Sequence, residues 1–159
     1  MNMLKLSVCV ALVGSMVVGC ASIEPVAQID SRVSQLEIRF ENAQAEEKMS
    51  KLGLTKSYSA YWQAHKGRNW ASRFLMEDLK SNLTEKFYAA YYDKAWSLQS
   101  VTVSEVKGDA EAATVSMAYS FVNPETSKVM TYSTVDGWVW VGGTWMHVVS
   151  DPMLSGIKQ

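Results

Sequence analysis

The sequence predicts an α+β domain in which helices precede a curved antiparallel sheet. Apolar residues recur every three or four positions up to about residue 100, and at every second position after it. All but one of the aromatic residues lie between residues 58 and 145, which indicates a single aromatic-rich core. The length of 159 residues suits one such domain with an appendage.

Composition and charge exclude several classes of protein. Fifteen Lys and Arg against sixteen Asp and Glu leave no basic surface for a nucleic-acid partner. A hydrophobic content of 48% is too high for an intrinsically disordered chain. Two cysteines form neither a disulfide scaffold nor a Cys-rich zinc site, and His65 and His147 have no metal-site spacing. We therefore expect no metal and no cofactor.

Residues 1–19 have the pattern of a secretory signal peptide. Lys5 is the only charge, and the apolar run from Leu6 to Val18 spans about 20 Å as a helix, short of a hydrocarbon core of about 30 Å. The run ends in Val17-Val18-Gly19-Cys20, which resembles the lipobox of bacterial lipoproteins.

This resemblance implies a lipid anchor at Cys20. In lipoproteins the signal is cut before the cysteine, whose thiol accepts a diacylglyceryl group and whose amine is then acylated. Two or three acyl chains, such as palmitate, hold a protein at a membrane where one chain does not. Ala21 follows, which by the sorting rule of enteric lipoproteins implies the outer membrane, facing the periplasm. The alternatives are an ordinary cleaved signal and an uncleaved N-terminal anchor.

Residues 20–56 are predicted to form the acylated cysteine and a helical stalk. Between Pro25 and Lys51 the apolar residues are spaced alternately four and three apart, as at coiled-coil a and d positions. The stripe lasts two heptads, so the helix either packs on its own head or self-associates into a homo-oligomer. Its members are Ile29, Val33, Leu36, Phe40 and Ala43.

Three helices are predicted at the start of the head, which spans residues 57–151 and leaves 152–159 as a tail. The first ends at Gly67, the second is capped by Asn69 and the third by Thr84. Their apolar faces are Tyr58, Tyr61, Trp62 and His65; then Trp70, Phe74 and Leu75; then Phe87, Tyr88, Tyr91, Tyr92, Ala95 and Trp96.

A meander of four or slightly more antiparallel strands is predicted to follow the helices. Its apolar residues alternate with small polar ones, as in a half-buried sheet. Gly142-Gly143 indicates a two-residue hairpin, which would place Trp140 opposite Trp145 and Trp138 opposite His147.

The order of elements and several short segments resemble the nuclear transport factor 2-like superfamily, a group of cone-shaped domains that includes ketosteroid isomerase. The matching segments are 61–64, 66–70, 83–92, 136–138 and 142–145, within about residues 57–151. The resemblance implies helices wrapped over a curved sheet, an enclosed cavity and, in many members, a dimer. The superfamily contains enzymes and non-enzymes, so the resemblance implies no particular function.

The candidate catalytic residues are Asp136, His147 and a helix tyrosine, either Tyr88 or Tyr92. Asp136 and His147 share a face across the predicted hairpin, so the aspartate would orient the histidine as a base. The tyrosine would donate a hydrogen bond to a developing anion. The alternative is that Asp136-Gly137 forms a bulge or turn and that His147 is an ordinary sheet residue.

Aromatic side chains with polar tips also predict a ligand cavity. Its candidate lining residues are Trp62, Tyr88, Tyr92, Trp138 and Trp140. We therefore expect a membrane-anchored, non-enzymatic module of the cell envelope that binds an envelope protein or an apolar or aromatic small ligand. The alternatives are a metal-independent hydrolase, isomerase or dehydratase, and a self-associating structural component of the envelope.

Overall fold

The computed structural model describes residues 35–79 and 82–155, which form six strands and five helices in one compact unit. The predicted mixture of α and β structure is confirmed. The signal-like segment, Cys20 and the first part of the predicted stalk lie outside the described residues. Within the part of the chain that is described, no helix has the length and apolar character needed to span a bilayer.

The helices come largely before the long strands, as the change of period predicts. The elements in chain order are β1 (Glu37–Phe40), α1 (Ala43–Lys51), α2 (Thr55–Lys66), α3 (Trp70–Phe74), β2 (Glu77–Asp78), α4 (Glu85–Tyr92), β3 (Ser97–Gly108), β4 (Ala112–Val122), β5 (Val129–Val141), β6 (Thr144–Val148) and α5 (Pro152–Ser155).

One six-stranded sheet has the order β1-β3-β4-β5-β6-β2. Strands β3 to β6 form the predicted antiparallel meander. The two edge strands pair in parallel instead, β1 with β3 and β2 with β6. The expectation of an all-antiparallel sheet is therefore corrected, because the helical half of the chain contributes a short strand to each edge.

The segment predicted as a stalk helix contains strand β1. Leu36, Ile38 and Phe40 recur at every second position, and Ile38 pairs with Val101 of β3. Leu36 and Phe40 also belong to the predicted heptad stripe, so two periods overlapped in a short sequence. The strand is favoured over the helix because pairing with the free edge of β3 satisfies backbone groups, and Leu36 is then buried at 4% exposure.

Helix α1 begins only after this strand, at a capping asparagine. The Asn42 side-chain oxygen accepts a hydrogen bond from the Ala45 N–H at 2.9 Å, and its amide donates to the Ser104 carbonyl at 2.9 Å. Ala45 and Met49 are buried against the sheet. The boundary predicted at residue 57 therefore falls within the compact unit, and residues 36–43 present no exposed helical stripe for self-association.

The three helices predicted in the head correspond to α2, α3 and α4, and α1 and α5 are additional. Asn69 accepts from the Ser72 N–H at 3.1 Å and Thr84 from the Phe87 N–H at 3.3 Å, so both predicted caps are confirmed. Helix α4 ends at Tyr92, so residues 95 and 96 lie beyond it rather than on its face.

The predicted β5–β6 hairpin is confirmed in its register. Trp140 lies opposite Trp145, and Trp138 lies opposite His147. The two residues of the Gly142–Gly143 turn have φ of +59° and +88°, a region that favours glycine.

The core formed by the described residues consists of two apolar clusters. One lies between α1, α2 and the sheet, and the other between α3, α4 and α5. The first includes Met49, Leu54, Tyr58, Tyr61, Trp138 and Trp145, and the second includes Trp70, Leu83, Tyr88 and Leu154.

Candidate functional site

A buried polar network lies where α3 and β2 meet the β5–β6 hairpin. Arg73 and Glu77 are each 4% exposed, Asp136 is 6% exposed and His147 is 7% exposed. Strand β2 brings Glu77 into register with His147 on β6. Because charged side chains are rarely buried without partners, their contacts determine what this region can do.

Glu77 is the centre of the network. Its Oε1 accepts hydrogen bonds from the Tyr61 hydroxyl at 2.9 Å and the Tyr88 hydroxyl at 2.5 Å. Its Oε2 accepts one from His147 Nδ1 at 2.6 Å. Both carboxylate oxygens are therefore engaged with protein donors.

Arg73 supplies a buried positive charge beside Tyr61. Its Nη2 donates to the Tyr61 hydroxyl, and its guanidinium carbon lies 4.5 Å from the Tyr61 ring centroid and 4.1 Å from that of Tyr92. The contacts of the guanidinium with these two rings are cation–π interactions. Arg73 Nε and Nη1 have no hydrogen-bond partner among the described residues.

His147 lies between two carboxylates. Glu77 contacts its Nδ1, and Asp136 Oδ1 lies 3.8 Å from its Nε2, too far for a hydrogen bond. The imidazole stacks on Tyr61 with ring centroids 4.3 Å apart. Asp136 Oδ2 is buried and has no hydrogen-bond partner in residues 35–79 and 82–155.

These contacts set the protonation of the network. Burial opposes the charged form of His147, but the carboxylates of Asp136 and Glu77 raise its pKa above 6.5. Burial likewise opposes an ionised Glu77, but hydrogen bonding and charge from His147 and Arg73 lower its pKa below 4.5. Both pKa shifts favour the ion pair between Glu77 and His147.

A cavity of about 210 Å³ adjoins the network. It has polar and aromatic walls, contributed by Trp62, Arg73, Glu77, Tyr92, Asp136 and His147 among others. We call it the inner cavity. A more open hollow of about 430 Å³, the outer hollow, shares His65, Tyr92 and Tyr119 with it. The outer hollow continues along an aromatic wall of Trp96, Phe121 and Tyr132.

His65 lies where the two spaces adjoin and is held neutral. Its ring contacts those of Trp62, Trp70 and Tyr92 at centroid distances of 5.5, 5.3 and 6.1 Å. Burial, together with the charge of Arg73, lowers its pKa to about 3. The junction between the spaces is therefore uncharged and aromatic.

The predicted catalytic candidates lie close together in the structure, but their contacts differ from those predicted. Glu77, which sequence reasoning missed, contacts His147 Nδ1 in the position expected for Asp136. The Tyr88 hydroxyl donates to Glu77 rather than into the cavity. Tyr92, the other tyrosine considered, lines both spaces.

The predicted lining residues are divided among several places. Trp62 and Tyr92 line the inner cavity, whereas Tyr88 is fully buried in the smaller core cluster. Trp138 is 1% exposed in the core and contacts His147 edge-on at 5.3 Å. Trp140 is 46% exposed and lines a different hollow, beside Leu75 and Met76.

Two central residues gave only a weak signal in the sequence. Arg73 follows Trp70 by three positions, which places it on the buried face of α3, but charged residues are usually assigned to solvent. Glu77 belongs to a strand of two residues, too short for any alternation to be recognised. Among the described residues, no group of three or more His, Cys, Asp or Glu side chains is arranged to hold a metal ion.

Comparison with known proteins identifies similar folds and no sequence relative. No protein-family model matches the sequence, and no curated protein matches it. A SEC-C motif-containing protein from Rhodopseudomonas palustris superposes with a TM-score of 0.51 at 8% identity, over 71% of this chain and 95% of that one. This likeness shows a shared fold and carries no information on activity.

Two further solved structures are less similar. A SEC-C motif-containing protein from Psychrobacter arcticus has a TM-score of 0.47 at 14% identity, over 75% of this chain and 67% of its own. A putative NTF2-like transpeptidase from Campylobacter jejuni has a TM-score of 0.40 at 10% identity, over 57% of this chain and 92% of its own. TM-scores below 0.5 do not establish a common fold.

Proposed function

We propose that this chain is a lipid-anchored protein of the bacterial cell envelope. Its head, a nuclear transport factor 2-like domain, binds a small, largely apolar or aromatic ligand. The observation that carries the binding function is the aromatic outer hollow, which shares three wall residues with an inner cavity that has buried polar groups. Ligand sites in proteins combine apolar walls with a few convergent polar groups in this way.

The aromatic wall supports an apolar or ring-shaped ligand. Phe121 and Tyr132 stack with an interplanar angle of 11° and centroids 5.1 Å apart, and Trp96 packs edge-on against Phe121 at 4.8 Å. Trp96 is 39% exposed and Tyr132 is 45% exposed. These rings therefore keep accessible apolar surface that a ligand would cover.

A pair of substitutions tests whether a ligand binds in the outer hollow. Ala95→Trp places an indole in the outer hollow, and Ala60→Trp places one in the separate hollow beside Trp140. We expect native mass spectrometry of the purified protein to show a co-purified small molecule that Ala95→Trp removes and Ala60→Trp retains. Equal retention by both variants would contradict binding in this hollow.

The lipid anchor is supported by the resemblance of residues 17–20 to a lipobox, and Ala21 supports the outer membrane. We expect Cys20→Ala to move the protein from the membrane to the soluble fraction, because the thioether to the diacylglyceryl group is lost. Cys9→Ala is the matched control and leaves fractionation unchanged. Membrane partitioning that survives Cys20→Ala would overturn the anchor.

A second candidate function, metal-independent acid–base catalysis, is favoured by the position of His147 and Asp136 on the inner cavity. Here Glu77 orients the imidazole, and His147 Nε2 or Asp136 exchanges a proton with the substrate. The test is deuterium exchange at the α-carbon of a cyclic ketone in D₂O, followed by NMR. Exchange that both His147→Gln and Asp136→Asn leave unchanged would remove this candidate.

A further inference from the structure

Two carboxylates of the inner cavity, Glu77 and Asp136, differ in how completely they are hydrogen-bonded. Glu77 accepts three hydrogen bonds from protein donors, which engage both of its oxygens. Within the described residues, Asp136 Oδ1 has a long 3.8 Å contact with His147 Nε2. Its Oδ2 has no hydrogen-bond partner in the described part of the chain, although the residue is only 6% exposed.

A buried carboxylate oxygen without a donor is unfavourable, because its hydration is lost and nothing in the protein replaces it. Asp136 lines the inner cavity, so a molecule bound there reaches it. A hydrogen-bond donor on that molecule would restore the missing interaction, and a hydrogen bond to a charged acceptor is stronger than one between neutral groups.

We propose that Asp136 Oδ2 accepts a hydrogen bond from the bound molecule, and that this molecule is a neutral ring compound with an O–H or N–H donor. The inference rests on the proposed binding function and names its ligand class. The donor group lies in the inner cavity, and the ring system extends along the aromatic wall of the outer hollow.

The mixed charges around the inner cavity favour a neutral ligand. Its walls contain the cationic side chain of Arg73, the imidazole of His147 and the carboxylates of Glu77, Asp136 and Asp151. A cation near Asp136 is repelled by Arg73, and an anion near Arg73 is repelled by the neighbouring carboxylates. A neutral donor satisfies Asp136 without adding an unpaired charge.

Four two-ring probes test this inference on the purified full chain by isothermal titration calorimetry in a fixed concentration of mild detergent. They are 2-naphthol, with a donor; 2-methoxynaphthalene, without one; 2-naphthoate, an anion; and 2-naphthylmethylammonium, a cation. We expect 2-naphthol to bind at least about tenfold more tightly than 2-methoxynaphthalene, and more tightly than either charged probe.

Substitution identifies the acceptor. Asp136→Ala should bring the affinities of 2-naphthol and 2-methoxynaphthalene to within about threefold of each other, because the proposed acceptor is then absent. Trp140→Ala, in the separate hollow, should retain the wild-type preference. If Asp136→Ala does not fold, Asp136→Asn takes its place and should likewise weaken the preference for 2-naphthol.

The remaining outcomes distinguish failure of the inference from failure of the proposed binding function. Equal binding of 2-naphthol and 2-methoxynaphthalene to the wild-type chain overturns the role of Asp136 and leaves the apolar binding function standing. Tightest binding of 2-naphthoate overturns the ligand class and assigns recognition to Arg73. No binding of any probe overturns the proposed binding function and the inference together.

Discussion

At the scale of single residues, Glu77 links the polar network to both apolar clusters. It accepts hydrogen bonds from Tyr61 of the larger cluster and Tyr88 of the smaller one. It is also the counter-ion of His147. Removing its charge therefore leaves a buried cation without its nearest anion.

Glu77→Gln should lower the free energy of unfolding by about 3–5 kcal/mol, the usual loss when one partner of a buried ion pair is removed. Urea denaturation followed by circular dichroism measures this change. Glu47→Gln is the control, because the Glu47–Lys51 pair is solvent-exposed and should contribute little. Equal losses in the two variants would contradict the role of burial.

Because of the two histidines, the free energy of unfolding should be greatest near pH 6.5. The raised pKa of His147 makes the folded state hold a proton that the unfolded state releases, so stability is lost as pH rises from 6.5 through its folded pKa. The pKa of His65, about 3, has the opposite effect: the unfolded state takes up the proton first, so stability falls as pH drops from 6.5 toward 3.

Thermal denaturation between pH 4.5 and 8.5 tests this profile. His65→Phe keeps an aromatic ring among Trp62, Trp70 and Tyr92, and should flatten the fall on the acid side, which has a limiting slope of about 1.4 kcal/mol per pH unit. Glu77→Gln should instead weaken the fall on the alkaline side. A wild-type stability that keeps rising from pH 6.5 to 8.5 would refute the assignment of His147.

At the scale of elements, the segment before α1 is the main difference between prediction and structure. Leu36 precedes β1, and its backbone N–H donates to the Gln63 side chain of α2 at 2.9 Å. The Gln63 amide donates back to the Leu36 carbonyl at 3.0 Å. This reciprocal pair attaches the segment to the head.

Leu36→Asp should therefore destabilise the fold rather than alter an oligomer. We expect a loss of at least about 3 kcal/mol in the free energy of unfolding, because an apolar side chain is removed from the core and a charge is buried. Leu75→Asp is the matched control, since Leu75 is 73% exposed and should change stability by less than about 0.5 kcal/mol. Normal stability of Leu36→Asp with a smaller oligomer mass would restore the stalk interpretation.

At the scale of the whole molecule, the two apolar clusters should unfold together. Glu77 joins them through Tyr61 and Tyr88, and β2 connects the same region to the sheet. Fluorine NMR of fluorotryptophan-labelled protein in urea follows Trp70 in one cluster and Trp138 in the other. We expect equal midpoints, as in a two-state transition. A lower midpoint for Trp70 would show that the smaller cluster opens separately.

The sequence by itself determined those features whose causes are local. The α+β order follows from the change of period. The caps at Asn69 and Thr84 follow from side chains that reach a backbone N–H three residues away. The register of the β5–β6 hairpin follows from the two-residue turn at Gly142–Gly143.

Only the tertiary structure decided which distant elements meet. The period of β1 was ambiguous until the edge of β3 paired with it, and the two residues of β2 carry no pattern of their own. Glu77 is 70 residues from its partner His147, so no local rule connects them. The assembled fold pairs these two side chains despite the cost of burial, and it leaves one oxygen of Asp136 without a hydrogen-bond partner among the described residues. Desolvation and pairing depend on the assembled fold and not on sequence spacing.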